Sequence, residues 1–236
     1  MCTLEKRGNI FILTLTGDGE HRLNPTLLDS IQSSLRRVRQ EATASSALIT
    51  TAQGKFFSNG YDLAWGQSSK DRMILMDSLL RSVVSDILTL PMPTIAAITG
   101  HASAAGYTLA LAHDYLLMRS DRGFLYMSEL DINLVIPAWF VTLVEAKVPT
   151  PAARRRIVMS AAKLTAEEAV RLGVIDSAHS SADDTVVAAV DLATGLVKRG
   201  WDGHVYAQNR KVFLGRVIQA VEDKSERKTY TPTSRL

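Results

Sequence analysis

Apolar residues along this chain fall into short continuous runs that alternate with longer runs of helical spacing. The short runs are rich in β-branched residues, which predicts buried strands at residues 10–15, 47–51, 94–99, 114–118 and 124–126. The longer segments between them carry apolar residues three and four positions apart, as an amphipathic helix requires. This alternation of strands and helices predicts an α/β core with sequential crossover connections.

The helices of the first half have recognisable ends. Asn24 followed by Pro25 predicts an N-cap and the first position of a helix. Its buried face is expected to contain the apolar residues at helical spacing, which are Leu27, Leu28, Ile31, Leu35 and Val38. A long amphipathic helix is predicted over residues 73–88, and a buried helix over residues 107–112.

From Pro137 onward the pattern predicts helices alone. Residues 165–168 have the sequence of a capping box, and Gly173 fits the position just after the end of that short helix. Two further amphipathic helices are predicted over residues 182–198 and 203–221.

The composition fits a folded protein with a sizeable core. The chain has 236 residues, of which 46% are hydrophobic and 22% charged. We expect an α/β core over residues 1–190 and a C-terminal helical region over residues 191–236. The net charge of +3 is scattered along the chain. No nucleic-acid partner is therefore predicted, whereas a mildly basic surface suits a phosphorylated substrate.

Several common kinds of site are missing from the sequence. The five histidines show no metal-ligand spacing with one another, so no metal site is predicted. There is no Gly-x-Ser-x-Gly turn, and the lack of Gly-x-Gly-x-x-Gly or a Walker loop argues against a nucleotide cofactor. The single cysteine, Cys2, rules out an internal disulfide, and no run of about 18 apolar residues predicts a membrane span.

Two turns built from small residues follow predicted strands. The first occupies residues 54–63 and contains Asn59-Gly60, where glycine permits a positive φ and close approach of a ligand to the main chain. The second occupies residues 100–106. By itself an Asn-Gly pair is typical of a surface turn. Two such turns together could supply two main-chain N–H donors to one developing negative charge.

Glu129 is the most notable carboxylate. It follows a predicted strand and has apolar neighbours, so partial burial is expected to raise its pKa towards the range of a general base. A helix cap or a salt bridge is the alternative role, and Asp131 is a competing acid two residues away. Asp62 and Asp114, each after a turn, are expected to hold loops in place.

Two segments resemble a known family. Residues 57–63, Phe-Ser-Asn-Gly-Tyr-Asp-Leu, resemble the Phe-x-Ala-Gly-x-Asp-Leu motif of the crotonase (enoyl-CoA hydratase/isomerase) superfamily. Residues 93–102 resemble its Lys-Pro-x-Ile-Ala-Ala-Val-x-Gly-x-Ala segment, and the similarity is greatest to the plant Δ3,Δ2-enoyl-CoA isomerases of that family. The resemblance spans nearly the whole chain. It implies a spiral of ββα units, a C-terminal helical trimerisation region, and a homotrimer or hexamer.

The resemblance also implies an active site. Carried over by position, the main-chain N–H groups of Asn59 and Ala105 would bind a thioester oxygen. Hydratases of the family use two glutamates, and the matching positions here are Thr108 and Glu129. Because threonine cannot act as a base near neutral pH, hydration is disfavoured, whereas isomerisation needs only one carboxylate. The implied activity is therefore an enoyl-CoA isomerase with Glu129 as its single acid and base.

The implied substrate is an acyl-CoA thioester, and since CoA is part of that substrate no separate cofactor is expected. The residues expected to border the CoA pocket are Arg22, Leu23, Ser58, Tyr61, Asp62 and Leu63, with Arg22 near a phosphate. Trp139 either lines the acyl tunnel or packs in the core. The remaining alternatives are another crotonase reaction, such as weak hydration, or a non-catalytic subunit that binds acyl-CoA.

The C-terminal residues Ser234-Arg235-Leu236 are close to the Ser-Lys-Leu peroxisomal address. We expect them to bind the peroxisomal import receptor and to direct the protein to the peroxisome. A solvated chain end is the alternative, because residues 222–233 are largely polar.

Overall fold

The structure is a computed structural model that describes residues 1–223. Two β-sheets lie at its centre. The strands, numbered in chain order, are β1 (Cys2–Arg7), β2 (Ile10–Leu15), β3 (Ala47–Ala52), β4 (Phe56–Ser58), β5 (Thr94–Ile98), β6 (His101–Ser103), β7 (Tyr115–Arg119), β8 (Leu125–Tyr126) and β9 (Ser177–His179). The larger sheet has the order β1-β2-β3-β5-β7-β9, and the smaller one has the order β4-β6-β8. All pairings are parallel except that of β1 with β2.

The helices surround these sheets. They are α1 (Pro25–Glu41), α2 (Leu63–Gly66), α3 (Lys70–Leu88), α4 (Ala105–Leu111), α5 (Ala138–Lys147), α6 (Pro151–Ser160), α7 (Ala166–Arg171), α8 (Ala182–Lys198), α9 (Gly203–Phe213) and α10 (Gly215–Glu222), with a 3-10 turn at Leu130–Ile132. Within residues 1–223, no helix is long and apolar enough to cross a membrane.

Three neighbouring strands of the larger sheet are each followed along the chain by a strand of the smaller sheet. Thus β3 leads into β4, β5 into β6 and β7 into β8, and helices follow the first two pairs. Because the smaller sheet is parallel, the ends of its three strands meet at one edge. The predicted α/β fold is confirmed. Because the strand–strand–helix unit repeats, the turns after β4 and β6 lie next to each other.

Opposite faces of the larger sheet are covered by different helices. A large cluster, with α1 packed against α3, covers one face. On the other face, Ala189 and Ala193 of α8 pack against Ile12, Ile49 and Ile95. The small alanine side chains allow α8 to lie close to the β-branched residues of the strands. The central strands β2, β3, β5 and β7 are therefore largely buried on both faces, as parallel sheets generally are.

The predicted helix ends are confirmed. Asn24 accepts a hydrogen bond from the Leu27 N–H at 3.0 Å, and Pro25 occupies the first position of α1. The five apolar residues predicted for the buried face of α1 are all buried. At α7, Thr165 and Glu168 form the reciprocal capping box, and Gly173 has a φ of +68°.

Four details differ from the prediction. The edge strand β1 was not predicted, because its residues alternate between half-buried and exposed and make no apolar run. The predicted turn at residues 100–106 contains the short strand β6. In the region predicted as helical, β9 is formed by the polar sequence Ser177-Ala178-His179, which pairs with β7. The helix predicted over residues 203–221 is two helices, interrupted at Leu214.

A buried ion pair fastens α9 to the rest of the fold. The Arg210 Nε donates to Asp114 Oδ1 at 2.8 Å, and its Nη atoms donate to the carbonyl oxygens of Leu90 at 2.7 Å and Met92 at 2.6 Å. Asp114 also accepts from the Thr94 N–H at 2.9 Å. Burial alone would raise the pKa of Asp114, but the Arg210 charge and these hydrogen bonds outweigh it and hold the pKa below its ordinary value. Asp114 thus holds a loop, as predicted.

Replacing Arg210 with leucine should lower the free energy of unfolding by about 3–5 kcal/mol, because Asp114 would remain buried without its partner. Urea denaturation at neutral pH measures this loss. The control is Arg37→Leu, since Arg37 forms an exposed pair with Glu41 whose loss should change stability by about 1 kcal/mol or less. Equal losses in the two variants would show that the buried pair does not fasten α9.

Candidate active site

A cavity of about 180 Å³ lies at the shared edge of β4, β6 and β8. Five of the residues predicted for a site contribute to its wall, namely Arg22, Asn59, Tyr61, Leu63 and Glu129. Other wall residues were not predicted, namely Ser103, Ala104, Ser128, Ile132, Leu134 and Phe140. These additions come from the same strand ends and from the segment after β8, where the sequence shows no pattern that marks a cavity.

Glu129 lies in this wall with its carboxyl group almost removed from solvent. The residue is 4% exposed, and its Oε2 atom has no hydrogen-bond partner among the described residues. Burial raises the pKa of Glu129 to about 7. The predicted burial and raised pKa are confirmed. Neither alternative role is observed, because the side chain does not cap the 3-10 turn that follows and forms no salt bridge within residues 1–223.

The turn after β6 is strained. Ala104 has φ +49° and ψ −119°, a conformation that costs a non-glycine residue on the order of 1–3 kcal/mol. Its N–H donates to the Tyr126 carbonyl of β8 at 2.9 Å, which holds the turn against the sheet. The chain then enters α4 directly at Ala105, and no side chain caps this helix. An N–H in the first turn of a helix has no acceptor within the helix. The Ala105 residue itself is buried and is not among the residues that line the cavity.

The turn after β4 lies against this strained turn. Gly60 has a φ of +76°, and a Cβ at that position would lie 3.0 Å from the Ser103 carbonyl oxygen and 3.5 Å from the Ala105 nitrogen. Gly106 is equally confined, since a Cβ there would lie 2.3 Å from the Ser58 carbonyl oxygen. Both glycines are needed for the two turns to touch. The prediction that these segments meet at one place is confirmed.

The role predicted for the Asn59 main chain is wrong. Its N–H donates to the Glu20 carbonyl oxygen at 2.8 Å and so is already used. The next amide, that of Gly60, donates to Ser58 Oγ at 3.3 Å. The reason is that the segment before α1 runs beside the β4 turn and supplies an acceptor that the sequence did not reveal. Asn59 still contributes to the cavity wall.

Three of the predicted pocket residues support the wall from behind. Leu23 is fully buried. The Ser58 hydroxyl donates to the His21 carbonyl at 2.8 Å, and the Asp62 carboxylate accepts from the Trp65 N–H at 3.1 Å to cap α2. None of the three lines the cavity. The prediction that Asp62 holds a loop is confirmed.

Trp139 packs in the core and does not line the cavity. It is fully buried, its indole N–H donates to Asp77 at 2.9 Å, and its ring meets Phe140 edge-on with centroids 4.4 Å apart. Phe140 lines the cavity in its place. Both faces of α5 are apolar in this stretch, so the sequence could not tell which of the two aromatic residues faces the cavity.

The cavity wall contains one carboxylate among the described residues. Asp131 is exposed and lies outside the wall. At the position where a second glutamate would be required for hydration, Thr108 is buried and its hydroxyl donates to the Ala104 carbonyl at 3.3 Å. Arg22 is the cationic wall residue, and it is half exposed and paired with Glu20 at 2.6 Å. Glu129 is therefore the carboxylate that this wall offers to a bound molecule.

An adjoining cavity of about 320 Å³ shares the walls formed by Leu63 and Leu134. Gly66 and Met73 extend its apolar lining, and Lys70 lies at its exposed side. The cavity that contains Glu129, called the reactive cavity below, therefore borders an apolar space large enough for a hydrocarbon chain. Within residues 1–223, no group of three or more His, Cys, Asp or Glu side chains is arranged to hold a metal ion.

Comparisons with known proteins agree on one family. The model of the enoyl-CoA hydratase/isomerase family matches residues 5–214. "Enoyl-CoA delta isomerase 1, peroxisomal" of Arabidopsis thaliana is 58% identical over 219 residues, which cover 92% of this chain and 91% of that protein. "Enoyl-CoA delta isomerase 2, peroxisomal" of the same plant is 53% identical over 218 residues, which cover 89% and 91%.

A solved structure shows the same fold. An enoyl-CoA hydratase/isomerase family protein from Pseudomonas syringae superposes with a TM-score of 0.87 at 22% identity, covering 98% of both chains. At that identity the similarity concerns the fold alone, which is the crotonase-type α/β fold.

The raised pKa of Glu129 should make the protein less stable as the pH rises. Between the ordinary pKa of 4.5 and the folded value of about 7, the folded state binds the proton more tightly than the unfolded state does. Glutamine does not titrate. The free energy of unfolding of Glu129→Gln, relative to that of wild type, should therefore increase by on the order of 3 kcal/mol as the pH rises from 4 to 8. Chemical denaturation across this range measures the difference. Glu145→Gln, at an exposed glutamate, is the control, and a pH-independent difference for Glu129→Gln would exclude the raised pKa.

Proposed function

The chain belongs to the enoyl-CoA hydratase/isomerase family, and we propose that it is a Δ3,Δ2-enoyl-CoA isomerase. It moves a 3-cis or 3-trans double bond of an unsaturated acyl-CoA to the 2-trans position during fatty-acid β-oxidation. The observation that carries the proposal is that Glu129, which is buried, is the one carboxylate that the described residues place in the cavity wall, beside the strained turn that leads to Ala105. The names of the Arabidopsis relatives agree with it.

The reaction needs one group that can both accept and return a proton. In a 3-enoyl thioester, the C2 proton is acidified by the carbonyl and by the C3–C4 double bond. The Glu129 carboxylate removes this proton, and the electron pair of the C–H bond spreads over the carbonyl oxygen and C4 as a dienolate. The protonated Glu129 then gives the proton to C4, the C2–C3 double bond forms, and the carboxylate is restored. No water, metal or additional cofactor takes part.

The pKa of Glu129 suits both halves of this cycle. A general base is most effective when its pKa lies near the working pH, because it is then substantially ionised and still basic. Burial supplies this value of about 7. The same burial excludes water, which would otherwise compete for the proton and solvate the dienolate.

Negative charge on the thioester oxygen needs a hydrogen-bond donor that is already in place. We assign this role to the Ala105 N–H, which opens α4 without a side-chain cap. In comparable sites the loss of one such donor costs about 3 kcal/mol of transition-state stabilisation. The strain at Ala104 fits this role, since backbone strain is commonly retained where it orients a functional group.

Each of the two neighbouring cavities binds a different part of the substrate. The acyl chain beyond C4 enters the apolar space bounded by Leu63, Leu134 and Met73. We assign contact with a CoA phosphate to Arg22, which lines the reactive cavity and is half exposed. Tyr61 and Leu63 contact the substrate, while Leu23, Ser58 and Asp62 hold the wall in position.

We assign assembly to the region from residue 191 onward, of which the structure describes residues 191–223, and the chain forms a homotrimer or hexamer. The support is a group of apolar side chains left exposed on α9, with Val205, Val212 and Phe213 exposed by 54%, 85% and 79%. Burial of such residues between copies would remove apolar surface from water.

Isomerase activity can be tested with 3-cis- and 3-trans-hexenoyl-CoA by following formation of the conjugated 2-enoyl product. Glu129→Gln should lower kcat by about 10²–10⁴-fold, because the only proton carrier is lost. Glu145→Gln should match wild type.

Two outcomes would contradict the proposal. If wild type instead added water to crotonyl-CoA at a comparable rate, a hydratase would be favoured. If it bound acyl-CoA in calorimetry without turnover at any chain length, it would be a non-catalytic subunit.

The protein acts in the peroxisome, in keeping with the names of two of its relatives. The proposed import signal, Ser234-Arg235-Leu236, lies outside the described residues. Deleting these three residues from a fluorescent fusion should move it from peroxisomes to the cytosol in cells that lack the native chain. An otherwise identical fusion with Ser-Lys-Leu at its end is the positive control. Continued peroxisomal import of the deletion would disprove the assignment.

A further inference from the structure

A buried carboxylate on α3 lies directly behind the cavity wall. Asp77 is 5% exposed, and its Oδ1 atom accepts hydrogen bonds from the Tyr61 hydroxyl at 3.1 Å and the Trp139 indole N–H at 2.9 Å. Tyr61 belongs to the turn after β4, and Trp139 belongs to α5. One oxygen atom therefore joins a wall residue, Tyr61, to a core residue, Trp139, which is adjacent in sequence to the wall residue Phe140.

An arginine one turn further along α3 holds this carboxylate. The Arg81 Nε donates to Asp77 Oδ2 at 2.7 Å, and both side chains are buried. The Arg81 Nη1 donates to the Ala220 carbonyl at 2.8 Å, and the guanidinium carbon lies 5.2 Å from the centre of the Trp139 ring. The Asp77–Arg81 pair thus connects the last turn of α10 with Tyr61 and Trp139.

Stability alone does not account for this arrangement. Removing two charges from water is expensive, and apolar residues of similar volume commonly give equal or greater stability. What the pair provides is fixed geometry, because the charge-assisted hydrogen bond of 2.7 Å from Arg81 holds the Asp77 carboxylate in one orientation. Tyr61 lines the cavity, and its neighbour Gly60 touches the turn that contains Ala105. Phe140, next to Trp139, lines the cavity as well.

We propose that Asp77, held by Arg81, is a positioning residue for the isomerisation. Through the Tyr61 hydroxyl and the Trp139 indole it fixes the wall against which the substrate lies, and so keeps C2 and C4 within reach of Glu129. This inference rests on the proposed isomerase function. It goes beyond that function because Asp77 and Arg81 do not line the cavity and act only through other residues.

The test removes a single hydroxyl group. Tyr61→Phe keeps the aromatic ring in the wall but loses the hydrogen bond to Asp77. Because a misplacement of about 1 Å can cost up to 10²-fold in rate, we expect kcat to fall about tenfold, with KM changed by less than about twofold. Tyr107→Phe is the matched control, since Tyr107 is also fully buried but its hydroxyl has no partner among the described residues. It should keep the wild-type kcat.

A coupled variant separates positioning from general damage to the fold. Asp77→Leu, which has similar volume but no acceptor atom, should lower kcat at least as much as Tyr61→Phe does. The double variant should then be less impaired than the product of the two single effects, because both remove the same contact. An unchanged kcat in Tyr61→Phe, a change in KM alone, or fully multiplicative effects would overturn the proposal. A wild-type protein without isomerase activity would instead overturn the proposed function.

Discussion

The active-site cavity depends on the close contact between two turns of the smaller sheet. At Gly106 there is no room for a side chain, because a Cβ would lie 2.3 Å from the Ser58 carbonyl oxygen. At Gly60 the positive φ and the nearby Ser103 carbonyl impose a similar restriction. This contact brings the Asn59–Tyr61 turn beside Ala105. The segment after β8 then supplies Glu129 from the third strand, so three parallel strands each contribute one part of the cavity.

This arrangement has an energetic cost that the rest of the fold must offset. A carboxyl group with a pKa of about 7 is held where it is less stable ionised than in water. A non-glycine residue with φ +49°, Ala104, adds backbone strain in the wall of the same cavity. Large buried clusters on both faces of the larger sheet supply the compensating stability. Strain and desolvation are thus concentrated where charge must move, which is common at catalytic sites.

Much of the fold could be predicted because its signals are local. Apolar runs marked β2, β3, β5 and β7, and the Asn24-Pro25 pair marked the start of α1. The strand β9 could not be found in this way, because its polar residues form a strand only through pairing with β7.

The site was predictable to a similar extent. Glu129 could be predicted from apolar neighbours at a strand end, whereas the Asn59 amide could not be assigned, because its acceptor on Glu20 is distant in sequence. Trp139 and Phe140 are adjacent on an apolar helix, so only packing decides which of them reaches the cavity.

The contact between Arg210 and Asp114 has a consequence for synthesis on the ribosome. Domains generally begin to fold from the N-terminal side as the chain emerges. Arg210, which donates to all three groups, follows Asp114 by 96 residues, Leu90 by 120 residues and Met92 by 118 residues. Until α9 leaves the exit tunnel, the nascent core therefore holds an unneutralised acid and open carbonyl groups beside β5. Docking of α9 is therefore the step that closes this side of the molecule.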